Sequence, residues 1–136
     1  MQNSLHPEAF LFPQGVAGYP TSKHFRFADE DAGGIAVMQS LEEADIAFLT
    51  APWDEERLGP PPALTAEQRH CLKLNSEQKP QWLLILNPFT DAEWVTANLK
   101  APIAISHDSG LALQCVQPEP ELALRYRWMP QPTFKA

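Results

Sequence analysis

Along this chain, apolar residues fall in short stretches that alternate with polar ones and stop at proline, glycine or asparagine. In "SKHFRFA", Phe25 and Phe27 alternate with polar neighbours, the period of a half-buried strand. "LALRYRW" sets Leu124, Tyr126 and Trp128 on one face, with Arg125 and Arg127 on the other. "GIAVMQS", "DIAFLTA", "WLLILN", "PIAIS" and "LALQCVQ" are likewise short and bounded by turn residues. They bring the expected total to about eight strands, few with the spacing of a βαβ unit. "LTAEQRHCLKL" is the exception. Thr65 followed by Gln68 fits a capping box, and Cys71 and Leu72 supply a small apolar face after it. The pattern predicts a mainly β fold: a single-domain antiparallel sheet curled into a barrel-like structure, with one short helix covering an opening.

Proline usage supports this reading. There are 14 prolines in 136 residues, and most flank short apolar stretches, where a missing ladder donor is tolerated. They punctuate strands. Only Pro60-Pro61-Pro62 form a run, which reads as a stiffened loop. With no internal repeat or linker, residues 1–136 read as one domain. A hydrophobic content of 44% is enough for a real core.

Charge separates the two halves. Residues 1–56 hold ten acids against Lys23 and Arg26, whereas residues 57–136 hold seven acids and eight bases. An acidic half repels phosphate backbones, so direct nucleic-acid binding is disfavoured. The same field draws in a basic protein partner, although it also serves simple solubility. The first twenty residues carry no basic n-region, and the longest strongly apolar run, Trp82 to Leu86, is too short to span a bilayer. The expectation is a cytoplasmic protein with no membrane association, and the lack of a long apolar edge favours a monomer. Cys71 and Cys115 form no CxxC or Cys/His cluster and read as free thiols.

Catalytic chemistry is thin. His70 and Cys71 are neighbours on the expected helix, so their side chains diverge by about 100° and form no nucleophile–base pair. "SHDS", Ser106 to Ser109, packs a serine, a histidine and an aspartate into one turn, which is not triad geometry. His6, His24 and His107 lack zinc spacing, and the acids lack a calcium loop's alternation and glycine. No catalytic residue, metal or cofactor is expected.

The remaining candidates point to shape and contact. In "TANLKAPIAIS", Ala101 precedes Pro102 and is pushed to extended geometry. Asn98 can bond its own nearby backbone, and Ile103 and Ile105 then face a core with Ala104 opposite. The block reads as a corner feeding a strand, with partner contact through Asn98 or Lys100 as the alternative. Gly15 and Gly18 suit positive φ, and Gln39 and Gln114 are amides inside apolar stretches that need partners if buried. Glu42, Glu43 and Asp45, then Asp54, Glu55 and Glu56, flank one strand as either a solvated rim or a docking face. Trp53 beside those acids, with Tyr19 and Trp94, is either core or contact hot spot.

Four of these stretches together resemble the flagellar assembly factor FliW family. "FPQGVAGY" (Phe12, Gly15, Gly18, Tyr19) is similar to its aromatic-glycine opening, and "VMQSLEEADIAFLTAPW" to its block around Gln39 and Ser40. "TANLKAPIAIS", with Asn98 and Pro102, is similar to its signature, and "LALQCV" to the glutamine strand of Gln114. Ser106, Ala17 and Met38 stand where the family usually has Asn, Pro and Leu. The resemblance covers nearly the whole chain. It implies a non-enzymatic cytoplasmic protein that binds flagellin and the translational regulator CsrA, a small RNA-binding dimer, and so relieves repression of flagellin synthesis. The alternative is a small-ligand-binding β-barrel, which would need a deep apolar pocket with convergent polar groups.

Overall fold

A computed structural model describes residues 9–132. The described residues form nine strands and two short helices, in the order β1 (Phe10–Leu11), β2 (His24–Ala28), β3 (Ala36–Ser40), β4 (Ala47–Pro52), α1 (Glu55–Leu58), α2 (Ala66–Leu72), β5 (Gln81–Asn87), β6 (Trp94–Ala97), β7 (Ile103–Ser106), β8 (Leu111–Gln114) and β9 (Tyr126–Pro130). The sheet runs β4-β3-β2-β1-β8-β7-β5-β6-β9, and an additional β4–β5 pairing closes its first seven strands into a barrel. Every pairing is antiparallel except β1 with β8, which meet in parallel at Leu11 and Leu111.

Strand β5 is the hub. Its residues Leu83 to Leu86 pair with β4. On the opposite edge β7 takes Gln81 to Leu83 and β6 takes Leu86 and Asn87. β6 and β9 therefore leave the barrel as a two-stranded flap.

Alternation decides what fills the centre. Phe25 and Phe27 of β2, Met38 of β3, Leu83 of β5 and Ile103 and Ile105 of β7 point inward and meet Phe10, Phe12 and Val16. Each of these is at most 5% exposed. A side chain of this size contributes roughly 1.5–3 kcal/mol when buried, so a metabolite-sized void here would forfeit several such terms. The interior is core. It is not the ligand cavity that the alternative reading requires.

The outward residues of the same strands are covered too, which explains the unbroken "WLLIL". Trp82, Ala104, Leu113 and Cys115 pack under Leu72 of α2, while Ala51, Leu84 and Leu86 pack under Val95, Ala97 and Trp128 of the flap. Both faces of β5 are dry.

Four expectations are corrected among the described residues. There are two helices, because Asp54 caps a second, one-turn helix by accepting from the N–H groups of Glu56 and Arg57. Helix α2 carries the expected capping box, but it lies against the outer wall of β5, β7 and β8, where its small apolar face finds apolar partners. Leu124 precedes β9 and is exposed, so the one-sided alignment of Leu124, Tyr126 and Trp128 holds only for the last two. Strands β1 and β6 also lay outside the expected set.

Gly34 sits in the β2–β3 turn at φ 87°, and a Cβ there would come 2.9 Å from Cγ of Pro52. Gly18 has the same φ with open space around it. Gly34→Ala should therefore destabilise by about 2–3 kcal/mol and Gly18→Ala by about 1 kcal/mol. Urea midpoints of the two variants measure the difference; equal losses would mean that Pro52 yields.

Candidate protein-binding face

The hairpin joining β3 to β4 ties down several candidate residues. The Gln39 side-chain amide donates to the carbonyls of Ser40, Ala44 and Ile46, at 3.0, 3.1 and 3.1 Å. Ser40 Oγ accepts from the N–H groups of Glu42 and Glu43 and donates to Ser22 Oγ. Glu43 takes hydrogen bonds from the hydroxyls of Thr21 and Ser22. Glu42 accepts from the backbone N–H groups of Lys23 and His24, and its other oxygen lies 2.6 Å from Nδ1 of His24. The His24 side chain and the two backbone donors hold the Glu42 carboxyl down at about 2. Both glutamates thus fasten this turn to the start of β2, while Asp45 is exposed on the same turn.

A second set joins the glycine loop to the corner. Gln114 Oε1 accepts from the Ala17 N–H at 2.9 Å, and its Nε2 donates to the Ala101 carbonyl at 3.4 Å. Gly15 and Gly18 on that loop both have positive φ; Phe12 before them and Pro102 after the corner are fully buried. Asn98 Oδ1 accepts from the Lys100 N–H at 2.9 Å, an Asx turn. Lys100 Nζ reaches the carbonyls of Gln117 and Glu119, each at 2.9 Å. Tyr19 packs edge-to-face on Phe48 and is 40% exposed. Trp94 on the flap lies beneath the Arg127 guanidinium.

Two depressions of different chemistry meet at Trp53. Its indole N–H donates to the Gly59 carbonyl at 2.8 Å, which fixes the ring between them. One is a cleft of about 380 Å³ lined by Trp53, Asp54, Glu55, Glu56, Arg57 and Trp128. Arg57 lies with its guanidinium 3.9 Å from the Trp128 ring centroid and donates to the Trp128 carbonyl at 2.8 Å. Its Nε reaches Asp54 at 3.1 Å, and that contact, with the N–H groups of α1, holds the Asp54 carboxyl below its ordinary range. The other is a groove of about 340 Å³ whose apolar walls are Leu58, Pro60, Pro62, Leu99 and Leu122. The triple proline stiffens one side of it. Arg57, Leu99, Leu122 and Trp128 were not singled out from sequence; the i, i+3 pair Asp54–Arg57 was the one available signal for any of them.

A family model described as FliW protein matches residues 3–128 of this chain. The chain belongs to the FliW family. Among curated relatives, the flagellar assembly factor FliW of Bdellovibrio bacteriovorus is 32% identical over 122 residues, 87% of this chain and 68% of that protein. Those of Borrelia turicatae and Borreliella afzelii are each 31% identical, over 87% and 93% of this chain and 91% and 95% of their own lengths. A crystal structure of the flagellar assembly factor FliW superposes with a TM-score of 0.77 at 22% identity, covering 92% of this chain and 88% of that one.

In this FliW-family chain the signature residues therefore serve chiefly to hold backbone. Of the residues weighed for catalysis, Ser106, His107 and Asp108 border one small depression with Leu74, Gln78 and Lys79. Ser109 Oγ donates to the Leu72 carbonyl, and His107 Nε2 engages Gln81 at 2.5 Å. Cys71 and Cys115 are free thiols, and burial pushes Cys115 up to about 11. Among the described residues no three His, Cys, Asp or Glu side chains gather as a metal site, and no helix is long and apolar enough to cross a membrane. His6 lies outside the described residues.

Because Glu42 is held at about 2 against an ordinary 4.5, its bonds stabilise the fold above pH 4.5 and are lost as pH falls from there toward 2. Glu42→Gln should flatten the stability profile in that window, measured by denaturant unfolding at stepped pH; an unchanged slope would place the acid sensitivity elsewhere. Lys100→Met keeps the aliphatic stem but frees the Gln117 and Glu119 carbonyls. It should cost about 1 kcal/mol and speed hydrogen exchange over residues 115–124; unaltered exchange would show that the segment stands without it.

Proposed function

We propose that this chain acts by stoichiometric protein binding, without catalysis, as a cytoplasmic flagellar assembly factor for flagellin and the regulator CsrA. By binding CsrA it relieves repression of flagellin synthesis, and flagellin competes for the free factor. The observation that carries this reading is the meeting of two unlike depressions at Trp53. The cleft, whose carboxylates Asp54, Glu55 and Glu56 lie in the half of the chain with ten acids against two bases, suits a basic RNA-binding protein. The groove of Leu58, Pro60, Pro62, Leu99 and Leu122 suits the apolar face of a flagellin terminal helix. The family relatives carry the name flagellar assembly factor, and the filled barrel interior speaks against a small-ligand carrier.

The test is calorimetric titration with flagellin and CsrA from the same organism, at low and moderate salt. CsrA should bind saturably and more weakly as salt rises. A Glu55→Gln/Glu56→Gln variant should weaken it about three- to tenfold while leaving flagellin binding unchanged. Leu122→Asp should do the reverse. Binding of flagellin alone would remove the regulatory half of the reading, and binding of neither would remove both.

A further inference from the structure

Barrel closure pairs β4 with β5, and among the described residues β9 has a strand neighbour, β6, on one side only. An open strand edge displays unpaired backbone groups. On β9 the register with β6 skips Trp128, and its carbonyl accepts from the Nη1 of Arg57 at 2.8 Å. The same guanidinium rests 3.9 Å from the Trp128 ring centroid and 5.8 Å from that of Tyr126, with Asp54 bonded to its Nε. An indole face, a backbone carbonyl and a carboxylate are the groups that select arginine over lysine, because a planar guanidinium stacks and donates in its plane at once.

The internal occupant is held by a weak element. Helix α1 is four residues long and buries none of them, and the side chains of Arg57 and Asp54 are each 37% exposed. An isolated turn of this length has almost no intrinsic stability. Glu55 and Glu56 on the same cleft wall leave it with more negative charge than Arg57 neutralises. We infer that the cleft at the β9 edge is an arginine receptor for the basic partner, and that Arg57 is an internal stand-in which the partner's arginine displaces. The inference rests on the reading that the partner is a basic protein. Exchange replaces each broken contact with one of the same kind, so the incoming arginine docks with little net gain at that point. The bound partner remains easy to release.

The experiment compares wild type with Arg57→Gln, Arg57→Lys and Lys79→Gln, using a hexa-arginine peptide and, separately, CsrA. Lys79 is exposed and shares a neighbouring cleft with Glu55, so its replacement changes the local field by the same charge without vacating the receptor. Arg57→Gln should bind hexa-arginine about fivefold more tightly than Lys79→Gln does, the scale of one competing cation–π contact removed, and Arg57→Lys should fall between wild type and Arg57→Gln. Equal gains in Arg57→Gln and Lys79→Gln would reduce the effect to charge and overturn the receptor. Weaker binding by Arg57→Gln would overturn it as well. Failure of wild type to bind CsrA would instead strike at the proposed function, while the peptide comparison would still decide the receptor.

Discussion

The pairing of β4 with β5 is the constraint on which the remaining structure rests. It turns an open row of strands into a barrel, and it obliges β5 to be buried on both faces. Residues Leu83 and Ile85 enter the interior, and Trp82, Leu84 and Leu86 need cover from outside. That cover comes from α2 on one side and from the β6–β9 flap on the other. The flap in turn supplies Trp128 to the cleft, and the chain between β4 and α2 supplies Trp53, α1 and the triple proline. The candidate binding face is a by-product of covering β5.

Around that core, polar side chains do most of their work on backbone. Gln39, Ser40, Asn98, Lys100 and Gln114 each bond main-chain atoms, and no buried side-chain nitrogen or oxygen among the described residues lacks a partner. Corners fixed in this way need no regular secondary structure, which is how short strands can be joined by long irregular connections without loss of register. It also separates two kinds of residue that sequence similarity alone blends together: those that make the shape, and those, such as Glu55 and Leu122, that the shape presents.

The strand pattern was legible as alternation in β2 and as an unbroken apolar run in β5, and in β7 and β8 because Pro102 and Gly110 mark where they begin. It failed at β1, which is only two residues long, and at β6, whose four residues mix apolar and polar types with no proline or glycine beside them to mark a boundary. Helix α1 escaped notice because a single capped turn has no apolar face to repeat. The acids at Asp54 to Glu56 and the indole of Trp53 were readable as a candidate cluster, yet Trp128 and Leu122 come from the far end of the chain. Only the flap brings them to Trp53, and no local pattern encodes that meeting. Leu124 shows the opposite error: its alternation with Tyr126 and Trp128 was real in sequence, but the strand begins only at Tyr126.

The parallel contact of β1 with β8 has a bearing on how the molecule assembles. Leu11 and Leu111 are a hundred residues apart, and the seam between them involves a strand of two residues. Loop closure over such a span is slow compared with the local hairpins β2–β3, β3–β4 and β7–β8. Contact order therefore favours formation of those hairpins ahead of the seam. The barrel wall is thus closed across its most sequence-distant pair of strands.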